Sequence, residues 1–156
     1  MKKDGWKTYA GYILLTEAVG ALAGWLTRDG VAAYSALEKP PLTPPEIVFP
    51  IVWGILFLLM GVSAARISLS GQLDHGRPLL LFFAQLAFNF VWSLLFFNLQ
   101  AFGLAFFWLI LLWVLILLMI LSFSRIDRTA ALLQIPYLLW VTFAGYLNFA
   151  VWMLNS

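Results

Sequence analysis

The segment Tyr34–Trp53 reads YSALEKPPLTPPEIVFPIVW and decides how the whole chain is interpreted. It holds five of the seven prolines of the protein, which are Pro40, Pro41, Pro44, Pro45 and Pro50. Proline lacks a backbone N–H, fixes φ and pushes the preceding residue toward extended geometry. The segment is therefore predicted to be a stiff, ordered connection, with a helix beginning only where the last proline falls in a first turn. Because long apolar segments flank it, we expect it to lie at a membrane surface and cover one end of a helical bundle.

The composition points to lipid as the solvent of this protein. Of the 156 residues, 63% are hydrophobic and only 10% are charged, whereas a soluble domain carries about 25% charged residues. There is no cysteine, which excludes disulfides and thiol chemistry. One histidine and seven acidic residues argue against a metal site, and neither a metal nor a cofactor is predicted. The net charge of +2 comes from a few loop residues and fits membrane orientation better than nucleic-acid binding.

Five segments are long and apolar enough to span a bilayer, which takes about 20 residues. The predicted helices are 9–26, 47–67, 78–99, 101–123 and 129–154. The predicted fold class is therefore an all-α membrane protein, a five-transmembrane-helix bundle, with residues 1–156 forming a single domain. The joint at 98–100 is so short that the third and fourth helices must be antiparallel neighbours. No internal repeat is visible, and an odd number of helices argues against an inverted-repeat transporter.

The basic residues predict the orientation of the bundle. One predicted side carries seven lysines and arginines, whereas the other carries only Arg28 and Lys39. The seven are Lys2, Lys3, Lys7, Arg66, Arg77, Arg125 and Arg128. By the positive-inside rule the N-terminus is cytoplasmic, and the proline-rich segment and the C-terminus face outward. This asymmetry, with no evident cleavable signal peptide, fits a bacterial inner membrane.

The first predicted helix carries two features whose roles the sequence leaves open. Gly20 and Gly24 are four residues apart, a spacing that lets helix backbones approach closely in lipid. They serve either packing inside the monomer or a dimer seam. Glu17 lies near the middle of the membrane, where a carboxyl is costly. It serves either a structural hydrogen bond or a function, and because no basic residue of another helix is placed to pair with it, we expect it to be protonated.

The third predicted helix has a polar stripe. Gln85, Asn89 and Ser93 are spaced i, i+4, i+8 and therefore share one face. Because amides in lipid must find partners, this face should point toward protein. The stripe serves either hydrogen bonding between helices or a polar patch in a ligand cavity.

Aromatic residues of three helices are predicted to meet at one depth. With a rise of about 1.5 Å per residue, Trp53 lies about 10 Å below the outer end of its helix. Asn89 and Trp92 lie roughly 10–15 Å below that face, and Ala144, a small notch beside Trp140, about 15 Å. Pro136 is predicted to kink the last helix. We therefore expect a cavity beneath the proline-rich segment that suits a flat, largely apolar ligand.

Three motifs together resemble one known family. They are LEKPPLTPP from Leu37 followed by Phe49-Pro50 and Trp53, then Gln85-Leu86, Asn89, Trp92 and Phe96-Phe97, and then Pro136-Tyr137-Leu138, Trp140, Phe143, Leu147-Asn148 and Trp152. In order and spacing they resemble the translocator protein family, also called TspO/MBR, peripheral-type benzodiazepine receptor or tryptophan-rich sensory protein, in its bacterial form. The match covers nearly the whole chain.

The resemblance implies a five-helix bundle, commonly a homodimer, with a pocket under the first loop. That pocket binds porphyrins, haem precursors, sterols and synthetic ligands. The complete set of predicted ligand-binding residues is Tyr34, Pro44, Phe49, Trp53, Phe57, Asn89, Trp92, Trp140, Phe143, Ala144, Leu147 and Asn148. The expected partners are a porphyrin or another planar lipophilic molecule, membrane lipid and a second copy of the chain, and no nucleic acid.

Several functions stay open at this point. The first is binding of a tetrapyrrole with transport or sensing. The second is light-dependent oxidative degradation of protoporphyrin, for which the resemblance implicates Trp53 and Trp140 as catalytic residues, since the sequence contains no conventional active site. The third is sterol or lipid binding, or a structural role. His75, in a hydrophilic link, is predicted to be solvated.

The chain departs from the family pattern at three places. Ala33 stands where the family often has a tryptophan, which weakens the expected anchor of the loop. Trp108 stands where an aspartate is frequent. No lysine or arginine follows Tyr146, so the sterol-recognition pattern is broken, and sterol transport is disfavoured.

Overall fold

A computed structural model describes residues 4–71 and 76–155. Lys2, Lys3, His75 and the final Ser156 lie outside these ranges, so the predictions made for them concern residues outside the described part. The helices are α1 (Gly5–Leu26), α2 (Arg28–Tyr34), α3 (Val48–Ser68), α4 (Gly76–Ser93), α5 (Phe102–Ser124), α6 (Arg128–Leu132) and α7 (Ile135–Leu154). Five stretches are long and apolar enough to cross a membrane: Gly5–Leu26, Val48–Ser68, Gly76–Asn98, Phe102–Ser124 and Arg128–Leu154. The predicted fold class, an all-α membrane protein with five spanning helices, is confirmed.

The proline-rich segment enters α3 as predicted, because the helix begins at Val48 and Pro50 lies in its first turn. Before the prolines, which begin only at Pro40, residues Arg28–Tyr34 form the short helix α2, which the sequence analysis did not predict. Thr27 interrupts the helix between α1 and α2, and its hydroxyl donates to the Ala23 carbonyl at 2.7 Å.

Close backbone approach joins α1 to α3. A Cβ atom on Gly61 would lie 2.6 Å from the Ile13 Cα, and one on Gly20 would lie 2.5 Å from the Phe57 ring. The Thr16 hydroxyl donates to the Phe57 carbonyl across the same contact at 2.7 Å. Small residues at such crossings let helices pack tightly where no hydrophobic effect drives association.

Helices α4 and α5 are antiparallel neighbours, as the short joint between them predicted. The end of α4 widens into a π-helical segment, Leu94–Asn98, which the sequence did not predict. The Leu99 N–H donates to the Leu94 carbonyl, and Gln100 makes the turn at a φ of 50°. Farther along, the Trp108 indole stacks on Phe88 with ring centres 4.3 Å apart and donates to the Phe88 carbonyl. Trp108 thus holds the two helices together.

The last span is interrupted at residues 133–134, between α6 and α7. Pro136 lies in the first turn of α7, where its missing N–H costs nothing. The predicted kink is therefore a break between two helices. At the inner end of this span, Asp127 accepts hydrogen bonds from the Thr129 and Ala130 N–H groups and from the Arg66 guanidinium of α3.

The Asp127 pair makes stability depend on pH. Partial burial acts to raise the pKa of the Asp127 carboxyl, but hydrogen bonds from Arg66 and from the backbone N–H groups of Ala130 and Thr129 outweigh it, so the pKa lies below its ordinary value of 3.8. A carboxyl with a lowered folded-state pKa contributes stability above its unfolded-state pKa, and the contribution is lost as pH falls through the folded-state pKa.

We expect Asp127→Asn to lower thermal stability at pH 7. Because asparagine does not titrate, the stability of this variant should fall less than that of wild type when the pH drops below about 4. Asparagine still caps a helix, so Asp127→Ala should lose about 1 kcal/mol more. Tryptophan fluorescence during heating in detergent measures both effects. The exposed carboxyl of Asp29 provides the control, as Asp29→Asn. Equal acid-side curves for wild type and Asp127→Asn would contradict the assignment.

Candidate functional site

The loop of residues 35–47, which the distribution of basic residues predicts to face outward and which we call the outer loop, is attached to the C-terminal end of α7. The Glu38 N–H donates to the Asn155 side-chain oxygen at 3.2 Å, and the Asn155 amide donates back to the Glu38 carbonyl at 2.9 Å. The Tyr146 hydroxyl donates to the Pro41 carbonyl at 2.8 Å. These bonds replace backbone pairing, which prolines cannot supply, and hold the loop over the bundle.

Tyr34 anchors the other end of the outer loop. Its ring is buried and lies 5.7 Å from Phe96 and 5.8 Å from Phe97, measured between ring centres. The Lys39 ammonium lies 5.1 Å from the Tyr34 ring centre and donates to the Ser35 carbonyl. Burial, with a smaller effect of Glu46, raises the pKa of the Tyr34 hydroxyl, which keeps it neutral. Tyr34 is thus placed as an anchor for the loop.

A groove lies between α3 and α7, with a volume of about 490 Å³. It is almost wholly apolar, and two of its lining residues, Ile55 and Leu139, are 53% and 64% exposed at the surface that faces lipid. The lining residues are Val52, Ile55, Leu56, Pro136, Leu139, Trp140 and Phe143. The groove is therefore open to the bilayer between the two helices.

Aromatic rings bridge α3 and α7 beside this groove. Phe49 and Trp140 make an edge contact with ring centres 5.9 Å apart, and Trp53 meets Tyr137 at 6.2 Å. The Phe143 ring follows Trp140 at 5.6 Å. The Trp140 indole nitrogen is buried and has no hydrogen-bond partner within residues 4–71 and 76–155. Trp140 therefore lines the groove and also carries a donor that lacks a partner among these residues.

The polar stripe of α4 hydrogen-bonds to α7. The Asn89 amide donates to the Tyr137 hydroxyl at 2.8 Å, and that hydroxyl donates to the Gln85 side-chain oxygen at 2.7 Å. All three side chains are buried. Ser93 instead donates to the Phe90 carbonyl of its own helix. Of the two roles considered for the stripe, the contacts of Gln85 and Asn89 are those of hydrogen bonding between helices.

A second polar contact joins α4, α5 and α7 nearer the outer face. The Trp92 indole donates to the Asn148 side-chain oxygen at 3.0 Å, and the Asn148 amide donates to the Phe102 carbonyl at 2.8 Å.

The buried Gln134 was not singled out from the sequence, and neither its side-chain nitrogen nor its side-chain oxygen has a partner in the described residues.

The predicted ligand-binding residues thus fall into three groups. Those at or beside the groove are Phe49, Trp53, Trp140 and Phe143. Those of the outer loop and its anchor are Tyr34 and Pro44. Those buried among the helices, away from the groove lining, are Phe57, Asn89, Trp92, Ala144, Leu147 and Asn148.

The sequence analysis missed five groove residues, which are Val52, Ile55, Leu56, Pro136 and Leu139. A signal for part of this set was available. The α7 lining residues Pro136, Leu139, Trp140 and Phe143 are spaced i, i+3, i+4, i+7, which places them on one helical face.

A second, smaller groove of about 330 Å³ lies between α5 and α7. Trp113 lines this groove, and its indole N–H donates to the Thr142 hydroxyl at 2.9 Å. Because this N–H is already paired, the second groove lacks the free donor of the first. The groove between α3 and α7 is therefore the stronger candidate site.

Comparisons with known proteins agree with the three motifs. The model of the TspO/MBR family matches residues 12–153. The chain is 41% identical to the tryptophan-rich protein TspO of Chlorobaculum tepidum over 95% of this chain and 96% of that protein. It is 38% identical to Protein CrtK of Rhodobacter capsulatus, over 94% and 92% of the two chains. It is 34% identical to the translocator protein of Bos taurus, over 97% and 92%.

The attachment of the outer loop can be tested by proteolysis. A glutamate-specific protease has only Glu38 and Glu46 as sites outside the first span, since the third glutamate is Glu17. We expect Asn155→Ala to speed cleavage about thirtyfold, because it removes two hydrogen bonds worth about 1 kcal/mol each. Thr142→Val, on the same helix but bonded to Trp113, is the matched control. Cleavage of Asn155→Ala at the wild-type rate would show that the loop is held by other contacts.

Proposed function

Because the chain belongs to the TspO/MBR family, we propose that this integral membrane protein binds a planar, largely apolar ligand of the tetrapyrrole class in the groove between α3 and α7. Family membership supports a transport or sensing role. The single observation that carries the ligand proposal is the apolar, aromatic-walled groove lined by Trp140, a residue whose indole N–H has no partner among the described residues.

The dimensions and chemistry of the groove support a ligand of this kind. Its volume of about 490 Å³ lies in the range of roughly 300–1,000 Å³ usual for small-molecule sites. Aromatic walls favour a flat π-system through offset or edge contacts. The lining offers no charged side chain, so the buried part of the ligand is apolar except for one acceptor that meets the Trp140 N–H. The charged groups of a porphyrin would stay at the bilayer surface.

We also propose that the N-terminus is cytoplasmic in a bacterial inner membrane. Among the described residues, Lys7, Arg66, Arg77, Arg125 and Arg128 lie at one end of the bundle. Arg28 and Lys39 lie at the other end. This asymmetry supports the orientation by the positive-inside rule, which places the outer loop and Tyr146 on the outer side.

Titration of the purified protein with protoporphyrin tests the ligand proposal. Trp140→Phe keeps an aromatic ring but removes the free N–H, so we expect the dissociation constant to rise about fivefold, the effect of a hydrogen bond worth about 1 kcal/mol. The porphyrin absorption band and quenched tryptophan fluorescence report binding. Trp113→Phe is the matched control, because that indole is paired with Thr142 in the second groove. Unchanged affinity in Trp140→Phe with reduced affinity in Trp113→Phe would place the ligand in the second groove.

The same samples separate binding from degradation. Trp140 lines the groove and Trp53 lies beside it, and both carry oxidisable indoles, which favours photochemistry on a bound porphyrin as a second candidate function. Loss of the porphyrin band that requires both light and Trp140 would support degradation. A stable band in light, with tryptophan quenching that follows a binding curve, would leave binding as the function.

A further inference from the structure

Two basic residues at the inner end of the bundle are paired within the chain. The Lys7 ammonium lies 3.6 Å from the Asp4 carboxylate, and the Arg66 guanidinium lies 2.8 Å from the Asp127 carboxylate. Asp127 also accepts backbone N–H groups at the start of α6. Both carboxylates are therefore already engaged and do not compensate further positive charge.

The three other described basic residues at this end are not paired. They are exposed, and we call them the arginine corner: Arg77, Arg125 and Arg128. Within residues 4–71 and 76–155, none of their guanidinium groups has an ion pair or a hydrogen bond. The corner thus carries three positive charges that no described side chain compensates.

The fold brings the arginine corner to one level of the membrane. Helix α4 with its π-helical end and helix α5 are antiparallel neighbours of 23 residues each. Arg77, in the first turn of α4, therefore lies at about the level of Arg125, which directly follows α5. Arg128 comes three residues after Arg125, across a turn closed by two hydrogen bonds to the Phe123 carbonyl.

An exposed leucine lies one helical turn from each arginine of the corner. The three are spaced i+3, i−4 and i+4 from their arginines, which places each on the same helix face as its arginine. They are 68%, 51% and 56% exposed in the order Leu80, Leu121 and Leu132. Each leucine lies on the bilayer side of its arginine, so the charges sit above an apolar wall.

This combination of charge and apolar surface matches one class of molecule. Guanidinium groups bind phosphate oxygens through paired N–H donors, and basic residues at a membrane surface attract anionic lipids. A free phosphate ion would use the charges but not the leucines. A zwitterionic headgroup carries a cation that finds no free carboxylate among the described residues of the corner.

We propose that the arginine corner binds an acidic phospholipid. Its anionic headgroup meets Arg125 and Arg128, with Arg77 at the same level, and its acyl chains lie along Leu80 and Leu121. The site is formed by α4, α5 and α6, whereas the groove lies between α3 and α7. The proposal is therefore independent of the ligand proposed for the groove.

Native mass spectrometry of the purified protein in dodecyl maltoside tests the site, with dioleoylphosphatidylglycerol as the probe. We expect wild type to bind this lipid at least tenfold more tightly than dioleoylphosphatidylcholine. Arg125→Gln combined with Arg128→Gln should weaken phosphatidylglycerol binding about twenty-five-fold, roughly fivefold for each arginine. Equal affinity of wild type for the two lipids, or unchanged binding in the double variant, would overturn the proposal.

A second double variant controls for the loss of net charge. Lys7→Gln combined with Arg28→Gln also removes two positive charges, but outside the corner, and should keep its phosphatidylglycerol affinity within about threefold of wild type. Tryptophan fluorescence during heating verifies that both double variants are folded. The same loss of affinity in both would show that net charge attracts the lipid, and the arginine corner would then not be a site.

Displacement separates a lipid site from a site for a free anion. Because acyl-chain contacts with the leucines contribute to binding, sodium phosphate should release no more phosphatidylglycerol from wild type than sodium chloride of the same ionic strength. Selective release by phosphate would identify the corner as a site for a free anion and overturn the lipid proposal.

Discussion

The absence of water in the hydrocarbon layer is the constraint on which this structure depends. Each polar group there must find a partner in the protein, since none is available from solvent. The Tyr137 hydroxyl meets this need for both Gln85 and Asn89, and the same bonds fix α4 against α7. Among the described residues, the Trp140 indole N–H and the side-chain amide of Gln134 are the buried groups that lack a partner.

The groove exists because α3 and α7 are connected at their ends and separated between them. At the inner end, the Ser63 hydroxyl donates to the Ala130 carbonyl of α6 at 2.7 Å, and Arg66 pairs with Asp127 nearby. At the outer end, the loop that precedes α3 is bonded to α7 through Asn155. Between these attachments the ring pairs Phe49–Trp140 and Trp53–Tyr137 bridge the two helices. A groove held at both ends keeps its shape, which favours binding of a rigid ligand with little reorganisation.

Much of the fold could be predicted from the sequence, because hydropathy and proline placement act locally. Span lengths, the short α4–α5 joint and the entry into α3 at Pro50 all follow from such signals. The helix α2 and the π-helical segment did not, because each depends on the other. A Cβ atom on Gly30 of α2 would clash with the Phe97 carbonyl of the π-helical segment. For the site, the depth of a residue along its helix could be counted from the sequence. The direction in which its side chain points around the helix axis could not. Trp53 and Trp92 lie at similar predicted depths, yet Trp92 binds Asn148 inside the bundle while Trp53 contacts Tyr137 beside the groove.

The bond between the outer loop and Asn155 also orders the assembly of the protein in time. Glu38 and Asn155 are 117 residues apart in the chain, and a growing polypeptide emerges at about 5–20 residues per second. The loop therefore leaves the ribosome several seconds before its attachment point exists. Until the fifth span is inserted, the proline segment has no contact with α7 and α3 lacks its aromatic neighbours. The loop can therefore close over the bundle only after the fifth span has been inserted.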